Sequence, residues 1–180
     1  MTLSVVLITH NEERNLPRTL ESVTPLVRDG KGEIIVVDSG STDRTVEIAQ
    51  SYGARVFIET WKGFAGQKNS AIDKASMDWV LQLDADEALE PELAREIELA
   101  LKADSVQEGF WIPRKNFFLG RWIRHGGFYP DQSSVWFGAA QDASRNTARI
   151  PRSKFLAPPV DSHTHSCTTL IQPCAATLIT

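Results

Sequence analysis

Three short apolar runs constrain this chain more than any other feature. Leu3-Ser4-Val5-Val6-Leu7-Ile8-Thr9, Glu33-Ile34-Ile35-Val36-Val37-Asp38 and Trp79-Val80-Leu81-Gln82-Leu83-Asp84 are nearly continuous in apolar side chains rather than alternating. Strands of that kind are buried on both faces, which happens where helices cover both sides of a parallel sheet. The intervening segments carry helical signals. Asn15 is a candidate cap and Pro17 suits a first turn; Leu16, Leu20 and Val23 are spaced to face inward, and the helix is expected to stop before Pro25. Ser41 or Thr42 is expected to cap a second helix running from about Asp43 to Tyr52, with Gly53 at its end. Ala54 to Ile58 reads as a third strand and about Gln67 to Ala75 as a third helix. Pro91 opens a fourth helix reaching Lys102, with Leu93, Ile97 and Leu101 on its inner side, and Gly109 to Pro113 reads as a further strand. This alternation predicts an α/β, Rossmann-like fold with a mostly parallel, doubly wound sheet.

Two of the runs end in acids. The third continues as Asp84-Ala85-Asp86-Glu87, three carboxylates in four residues. Like charges at close range repel and resist desolvation, and a divalent cation relieves both effects. Hard oxygen ligands suit Mg²⁺ or Mn²⁺, which take one or two carboxylates and complete their shell with substrate phosphate. Ligands of open α/β sheets sit just past the carboxyl ends of the strands, where these acids lie. A solvated acidic turn before a helix is the plainer alternative, and Glu87 reads as a solvated or supporting residue rather than a ligand. The loops Thr9 to Glu12 and Gly63 to Asn69 open on the same edge, with Lys62 or Lys68 in reach. Acceptors for a base and ribose, a metal site and a lysine together suit a nucleotide diphosphate. No G-x-x-x-x-G-K-[ST] and no G-x-G-x-x-G follows the first strand, which disfavours P-loop and dinucleotide readings.

Length and charge narrow the class. The chain has 180 residues, enough for one domain or one and a part, and its net charge of -4 argues against a nucleic-acid partner held by bulk electrostatics. Cys167 and Cys174 lie near His163 and His165, but the spacing matches no standard zinc site. No secretory leader and no membrane-length apolar segment is read, so the expected compartment is the cytoplasm, with peripheral contact at the inner face of the membrane left open.

The stretches VVLITHNEERNL, IIVVDSGSTDRTVEIA, GFAGQKNSAI, WVLQLDADEAL and GRWIRHGGFYPD, in that order, resemble family 2 glycosyltransferases of the GT-A fold over residues 3–131. The last stretch resembles the glucosyltransferase-like enzymes of lipopolysaccharide core biosynthesis. The resemblance implies a nucleotide-sugar donor, a glycan or lipid-linked glycan acceptor, a divalent metal and inversion at the anomeric carbon. By position, Thr9, Asn11 and Glu12 match the first nucleotide-contacting loop. Asp38 matches an acid that contacts the base, with Ser39 and Asp43 in the same turn. Lys68 and Asn69 match the loop beside the base and phosphates, Asp84 the ribose-side acid, and Asp86 the metal ligand. Asp38 and Asp43 could instead cap a helix, Asn11 close a turn, and Lys68 be solvated. The base that deprotonates the acceptor is expected beyond the acidic turn, at Asp131 or, failing that, His125.

After Asp131 the resemblance stops. A basic, apolar segment and then a His-Glu pair are expected, and neither follows. This reads as a shifted reading frame near residue 132. The expected division is therefore a nucleotide-sugar-binding domain over 1–131 and an irregular tail over 132–180, whose histidines and cysteines would carry no meaning. Acceptor-side residues would be missing, leaving either an impaired transferase or a remnant that only binds nucleotide. A sugar-nucleotide nucleotidyltransferase is the other enzyme class with a similar sheet, but THNEERN lacks the glycine-rich basic loop that class carries after its first strand.

Overall fold

The computed structural model describes residues 1–102, 109–112, 114–118, 121–123, 136–139 and 166–169. The elements in chain order are β1 (Leu3–Thr9), α1 (Leu16–Val27), β2 (Gly32–Asp38), α2 (Thr45–Ser51), β3 (Arg55–Ile58), α3 (Phe64–Ile72), β4 (Trp79–Asp84), β5 (Glu87–Leu89), α4 (Pro91–Lys102), β6 (Gly109–Trp111), β7 (Arg114–Phe118), β8 (Arg121–Trp122), β9 (Trp136–Ala139) and β10 (Ser166–Thr169). A six-stranded sheet has the order β3-β2-β1-β4-β9-β6, and a four-stranded sheet has the order β5-β10-β7-β8. The first four strands of the large sheet are mutually parallel, while β9 runs antiparallel to both β4 and β6.

Helices cover both faces of the parallel part, as the unbroken apolar runs require. Leu3, Val5 and Leu7 of β1, with Ile34, Val36, Leu81 and Leu83, pack against Leu16, Leu20 and Val23 of α1, Ala49 of α2, and Leu93 and Ile97 of α4. The residues in the opposite phase, Val6, Ile35, Val37 and Val80, pack against Ala71 of α3, with Ile72 and Ala75 at the margin. The chain therefore moves outward from β1 to β3, then returns over the other face through α3 to place β4 on the far side of β1. That reversal makes the carboxyl ends of β1 and β4 the switch point of the sheet, the position at which such sheets bind ligands.

Several boundaries differ from the sequence reading. Helix α1 does not stop before Pro25 but runs through it to Val27. Proline removes the bond to the carbonyl of Glu21, but both residues lie on the exposed side of the helix, and burial of Leu26 holds the last turn. Asn15 precedes α1 but makes no side-chain cap; it donates instead to Glu12 Oε2 at 2.9 Å. Helix α2 starts at Thr45, not Asp43. Neither Ser41 nor Thr42 caps it: Asp43 Oδ1 accepts from the N–H and hydroxyl of Thr45 at 3.0 and 2.5 Å. Helix α3 begins earlier than expected because Gly63, at φ 78, turns the chain straight into it, and Gln67 N–H reaches the Gly63 carbonyl at 2.9 Å. Strand β5 was not foreseen. From the segment after residue 132, β9 lies between β4 and β6, and β10 between β5 and β7. His163, His165 and Cys174 fall outside the described residues.

Candidate functional site

The sheet register brings the expected acids to one edge. Thr9 is level with Asp38 across β1–β2, and Ile8 is level with Asp84 across β1–β4. One strand separates the two acids, about 10 Å at ordinary strand spacing. Their phases differ. Asp38 points with Ile34 and Val36 toward α1, and Asp84 with Val80 and Gln82 toward α3.

Asp84 is the charged centre of the edge. Its Oδ1 lies 2.5 Å from Lys68 Nζ on α3, and its Oδ2 lies 3.1 Å from Arg114 Nη2 on β7. Gln82 Nε2 adds a bond to Oδ1 at 3.3 Å. Burial works to raise the Asp84 pKa, but Lys68 and then Arg114 outweigh it and hold the carboxyl below its ordinary range. Lys68 is not solvated: its side chain is 4% exposed. Asn69 follows it on α3 and is half-buried. Lys62, the other candidate cation, belongs to a separate group: its Nζ sits 2.8 Å from Glu59 Oε2, and Glu59 is held down to about 2 by Lys62, Lys74 and Ser70.

The acidic turn is fixed from below by α1. Thr19 Oγ1 donates to the Ala85 carbonyl and Arg18 Nη2 to the Asp86 carbonyl, each at 2.8 Å. The expectation that Glu87 is solvated does not hold; its side chain is 1% exposed and ion-paired with Arg114. Its Oε2 accepts from the Asp84 N–H at 3.1 Å. Burial, opposed by Arg114, pushes the Glu87 carboxyl up to about 7. Asp86 is half-buried and is raised by burial and then by the charge of Asp84. Glu12 is raised by burial too, with Asp86, Asp43 and Asp84 adding to the effect against the Asn15 bond. Carboxyls that raise one another in this way form a site that a cation stabilises. Among the described residues no three acids, histidines or cysteines cluster as a metal site; Lys68 and Arg114 already hold the oxygens of Asp84, so Asp86 and Glu12 are the carboxylates that could hold an ion. One or two hard oxygens fit Mg²⁺ or Mn²⁺, whose remaining positions phosphate and water fill.

The other side of the crevice is an interlock of two loops. Asp38 is 0% exposed. It accepts from Thr9 Oγ1 at 2.8 Å, Ser41 Oγ at 2.5 Å, and the N–H groups of Gly40 and Ser41 at 2.9 and 2.8 Å. In this structure its carboxylate is spent on its own turn. Asn11, at φ 56, accepts from Thr42 N–H at 2.8 Å, while its own N–H donates to Ser41 Oγ at 2.8 Å. Glu12 N–H donates to Thr45 Oγ1 at 2.7 Å and Glu13 N–H to Asp43 Oδ2 at 3.2 Å. Asn11, Asp38 and Asp43 thus share a scaffolding arrangement. Ser39 Oγ, at the end of β2, is buried and makes no hydrogen bond.

His125 and Asp131 lie outside the described residues. Sequence reasoning missed Arg114, Arg18 and Thr19, and for Glu87 it left a solvated and a supporting role side by side, of which the structure shows the supporting one. Arg114 was visible only as part of a basic, aromatic stretch, and no spacing linked it to an acid 30 residues earlier.

A family model described as glycosyl transferase family 2 matches residues 4–165. An uncharacterized glycosyltransferase of Rickettsia typhi is 46% identical over 96 residues, 53% of this chain and 32% of the relative. The lipopolysaccharide core biosynthesis glycosyltransferase LpsC of Rhizobium meliloti is 35% identical over 125 residues, 67% of this chain and 44% of the relative. This chain therefore spans less than half the length of either relative. Among solved structures, glucosyl-3-phosphoglycerate synthase from Mycobacterium tuberculosis, in complex with Mn²⁺, UDP-glucose and phosphoglyceric acid, aligns with a TM-score of 0.51 at 30% identity over 60% of this chain and 42% of that one. TarS of S. aureus aligns with a TM-score of 0.55 at 19% identity over 84% of this chain and 50% of that one, a likeness of fold. With its parallel sheet, the strand order that reverses between β1 and β4, and a family match over most of its length, the chain belongs to glycosyl transferase family 2 and has the Rossmann-like GT-A fold.

Proposed function

We propose that the chain binds a nucleotide-diphosphate sugar in the crevice between β1 and β4 and transfers the sugar, with inversion, to a glycan acceptor of the lipopolysaccharide-core kind. The observation that carries this reading is the convergence at Asp84. An acid at the carboxyl end of β4 is flanked by Lys68 and Arg114 from two other elements, beside an Asp86 whose charge is only partly compensated. The named activity of LpsC supports the acceptor class, and the ligands of the mycobacterial synthase support a nucleotide donor and a divalent ion.

The partly exposed Asp84 accepts from ribose hydroxyls, and Lys68 places positive charge beside the diphosphate. Thr9 and Asp38 hold the turn that presents Ser39, whose unpartnered hydroxyl is suited to the base. Asn11 and Asp43 brace the same rim, and Asn69 extends the Lys68 side. Asp86, with Glu12 next to it, would hold Mg²⁺ or Mn²⁺. When bound, the ion supplies the charge that offsets negative charge building on the departing diphosphate. Asp131, or His125 in its place, takes the proton from the acceptor hydroxyl. The freed oxygen forms its bond to the anomeric carbon from the face opposite the nucleotide, and the bond to the diphosphate breaks with its electrons leaving on phosphate.

The family model matches through residue 165, past the point at which the motifs quoted above end, and a second reading rests on the sequence alone: a chain that binds the donor and transfers poorly. A shifted frame in residues 132–180 is part of that reading, and the nucleotide sequence of the gene tests it. A thermal-shift panel of nucleotide diphosphates with and without Mn²⁺, followed by donor hydrolysis, tests the binding and separates the two readings. Stabilisation with turnover supports transfer, and stabilisation without it supports the binding-only chain. No stabilisation by any nucleotide refutes both. Asp86→Ala is expected to abolish the Mn²⁺-dependent part of the shift; an undiminished Mn²⁺ effect removes Asp86 as the ligand. The same proposal places the chain in the cytoplasm, where contact with the inner face of the membrane is a further option. Among the described residues no helix is long and apolar enough to cross a membrane.

A further inference from the structure

Glu87 is a buried carboxylate that the transfer reaction does not use. It begins β5, three residues past Asp84, and its side chain is 1% exposed. Replacing a buried ion pair by well-packed apolar groups is often neutral or stabilising, so a carboxylate in such a place calls for a job. The contacts supply one. Oε2 takes the N–H of Asp84 at 3.1 Å, where β4 ends. Oε1 is ion-paired with Arg114 Nη2, and that same nitrogen lies 3.1 Å from Asp84 Oδ2. Glu87 thus holds Asp84 twice, once directly through its backbone and once through the guanidinium that grips its carboxylate. Arg114 comes from the four-stranded sheet and Asp84 from the six-stranded one, so the same contact pins the two sheets at the acidic turn.

We propose that Glu87 is a positioning residue of the donor site, acting through Arg114 and the Asp84 backbone to fix the direction of the Asp84 carboxylate. The proposal rests on the reading of Asp84 as the acid that meets the donor's ribose. An Asp84 carboxylate free to rotate about its side-chain bonds would offer the ribose hydroxyls a range of directions, and part of the binding energy would go to ordering it. Lys68 alone does not prevent this, since its ammonium is a point charge without directional preference. The planar guanidinium of Arg114 imposes a direction, and Glu87 holds the guanidinium.

The test measures UDP affinity in the presence of saturating Mn²⁺, by calorimetry on the full chain, for wild type, Glu87→Gln, Arg114→Lys and the double variant. Glu87→Gln keeps the shape and an acceptor for the Asp84 N–H but offers Arg114 no charge. Arg114→Lys keeps the charge but not the two-way geometry, and it serves if the glutamine variant folds poorly. Each single variant is expected to weaken UDP binding about tenfold, about 1.4 kcal/mol, while Mn²⁺ affinity measured without nucleotide stays the same. The double variant is expected to be no weaker than the weaker single, because the two residues act as one unit. Losses that multiply to about a hundredfold, or a lowered melting temperature with unchanged UDP affinity, overturn the proposal and leave Glu87 a merely structural group. Wild-type protein that binds UDP while the variants bind it equally well refutes only the positioning role. Wild-type protein that ignores UDP refutes the donor-site reading and this inference with it.

Discussion

Removing Lys68 and removing the charge of Asp84 should not cost the same, although the two groups form one ion pair. Their side chains are 4% and 30% exposed and lie 2.5 Å apart. Breaking a fully buried pair from one side costs about 3–5 kcal/mol, because it strands the other charge. Lys68→Met replaces a buried cation by an apolar chain of similar length, and the acid left behind keeps Arg114 at 3.1 Å and Gln82 at 3.3 Å, with access to water. The expected loss is discounted to about 1–2 kcal/mol. Asp84→Asn withdraws the charge from Lys68 and Arg114 together, and Lys68 has almost no water to turn to. Its expected loss is about 3 kcal/mol. Urea unfolding at neutral pH reads both values, provided the slope is unchanged among variants. The double variant should recover about 1 kcal/mol of the summed losses, since the pair is in contact. A Lys68→Met loss equal to or above that of Asp84→Asn would refute the account, because it would mean that Arg114 carries little of the compensation assigned to it.

Three further outcomes follow from other parts of the molecule. Pro25→Ala should restore the missing helical N–H and stabilise the protein by about 1–2 kcal/mol, the helical gain less the entropy returned to the unfolded chain; a lower melting temperature contradicts the reading of α1. Thr19→Val removes the hydroxyl that meets the Ala85 carbonyl and should cost about 1–2 kcal/mol, with weaker Mn²⁺-dependent UDP binding if the turn loosens. The carboxyl of Glu87 is raised from 4.5 to about 7, so the folded state holds its proton longer than the unfolded state does. The stability this provides is complete below 4.5 and is lost as pH rises through about 7. Metal-free wild type should therefore lose up to about 3 kcal/mol relative to Glu87→Gln across that window. Urea midpoints whose difference stays flat, or grows in favour of wild type, count against it.

The parallel core was legible because its strands are apolar in both phases, and only a sheet covered on both faces makes sense of Leu3 to Thr9 or Trp79 to Leu83. The edge that carries the site was legible for the same reason, since right-handed crossovers leave Asp38 and Asp84 nowhere else to go. Element ends were less so. Helix α1 passes Pro25 with that proline on its exposed side, and this depends on which side of the helix meets the sheet. What the sequence hid most was partnership. Asp38 reads in the sequence as a ligand-facing acid or a helix cap, and only the structure shows Thr9, Gly40 and Ser41 arranged around it. Glu87 reads equally as a solvated carboxylate or a supporting one, and only the return of the chain through β7 decides for burial beside Arg114. Arg114 stands far from both in sequence, so no local pattern could have announced it.

The interlock between the loops after β1 and β2 has a thermodynamic consequence. Backbone groups of Asn11, Glu12 and Glu13 are already matched by side chains from residues 41–45 before any ligand arrives. These two loops are built in advance, so on the proposed reading a nucleotide docking against them would freeze little that was moving. If these loops meet the base as proposed, retuning which base is accepted calls for paired replacements across both, because a change on one side leaves a donor or acceptor stranded on the other.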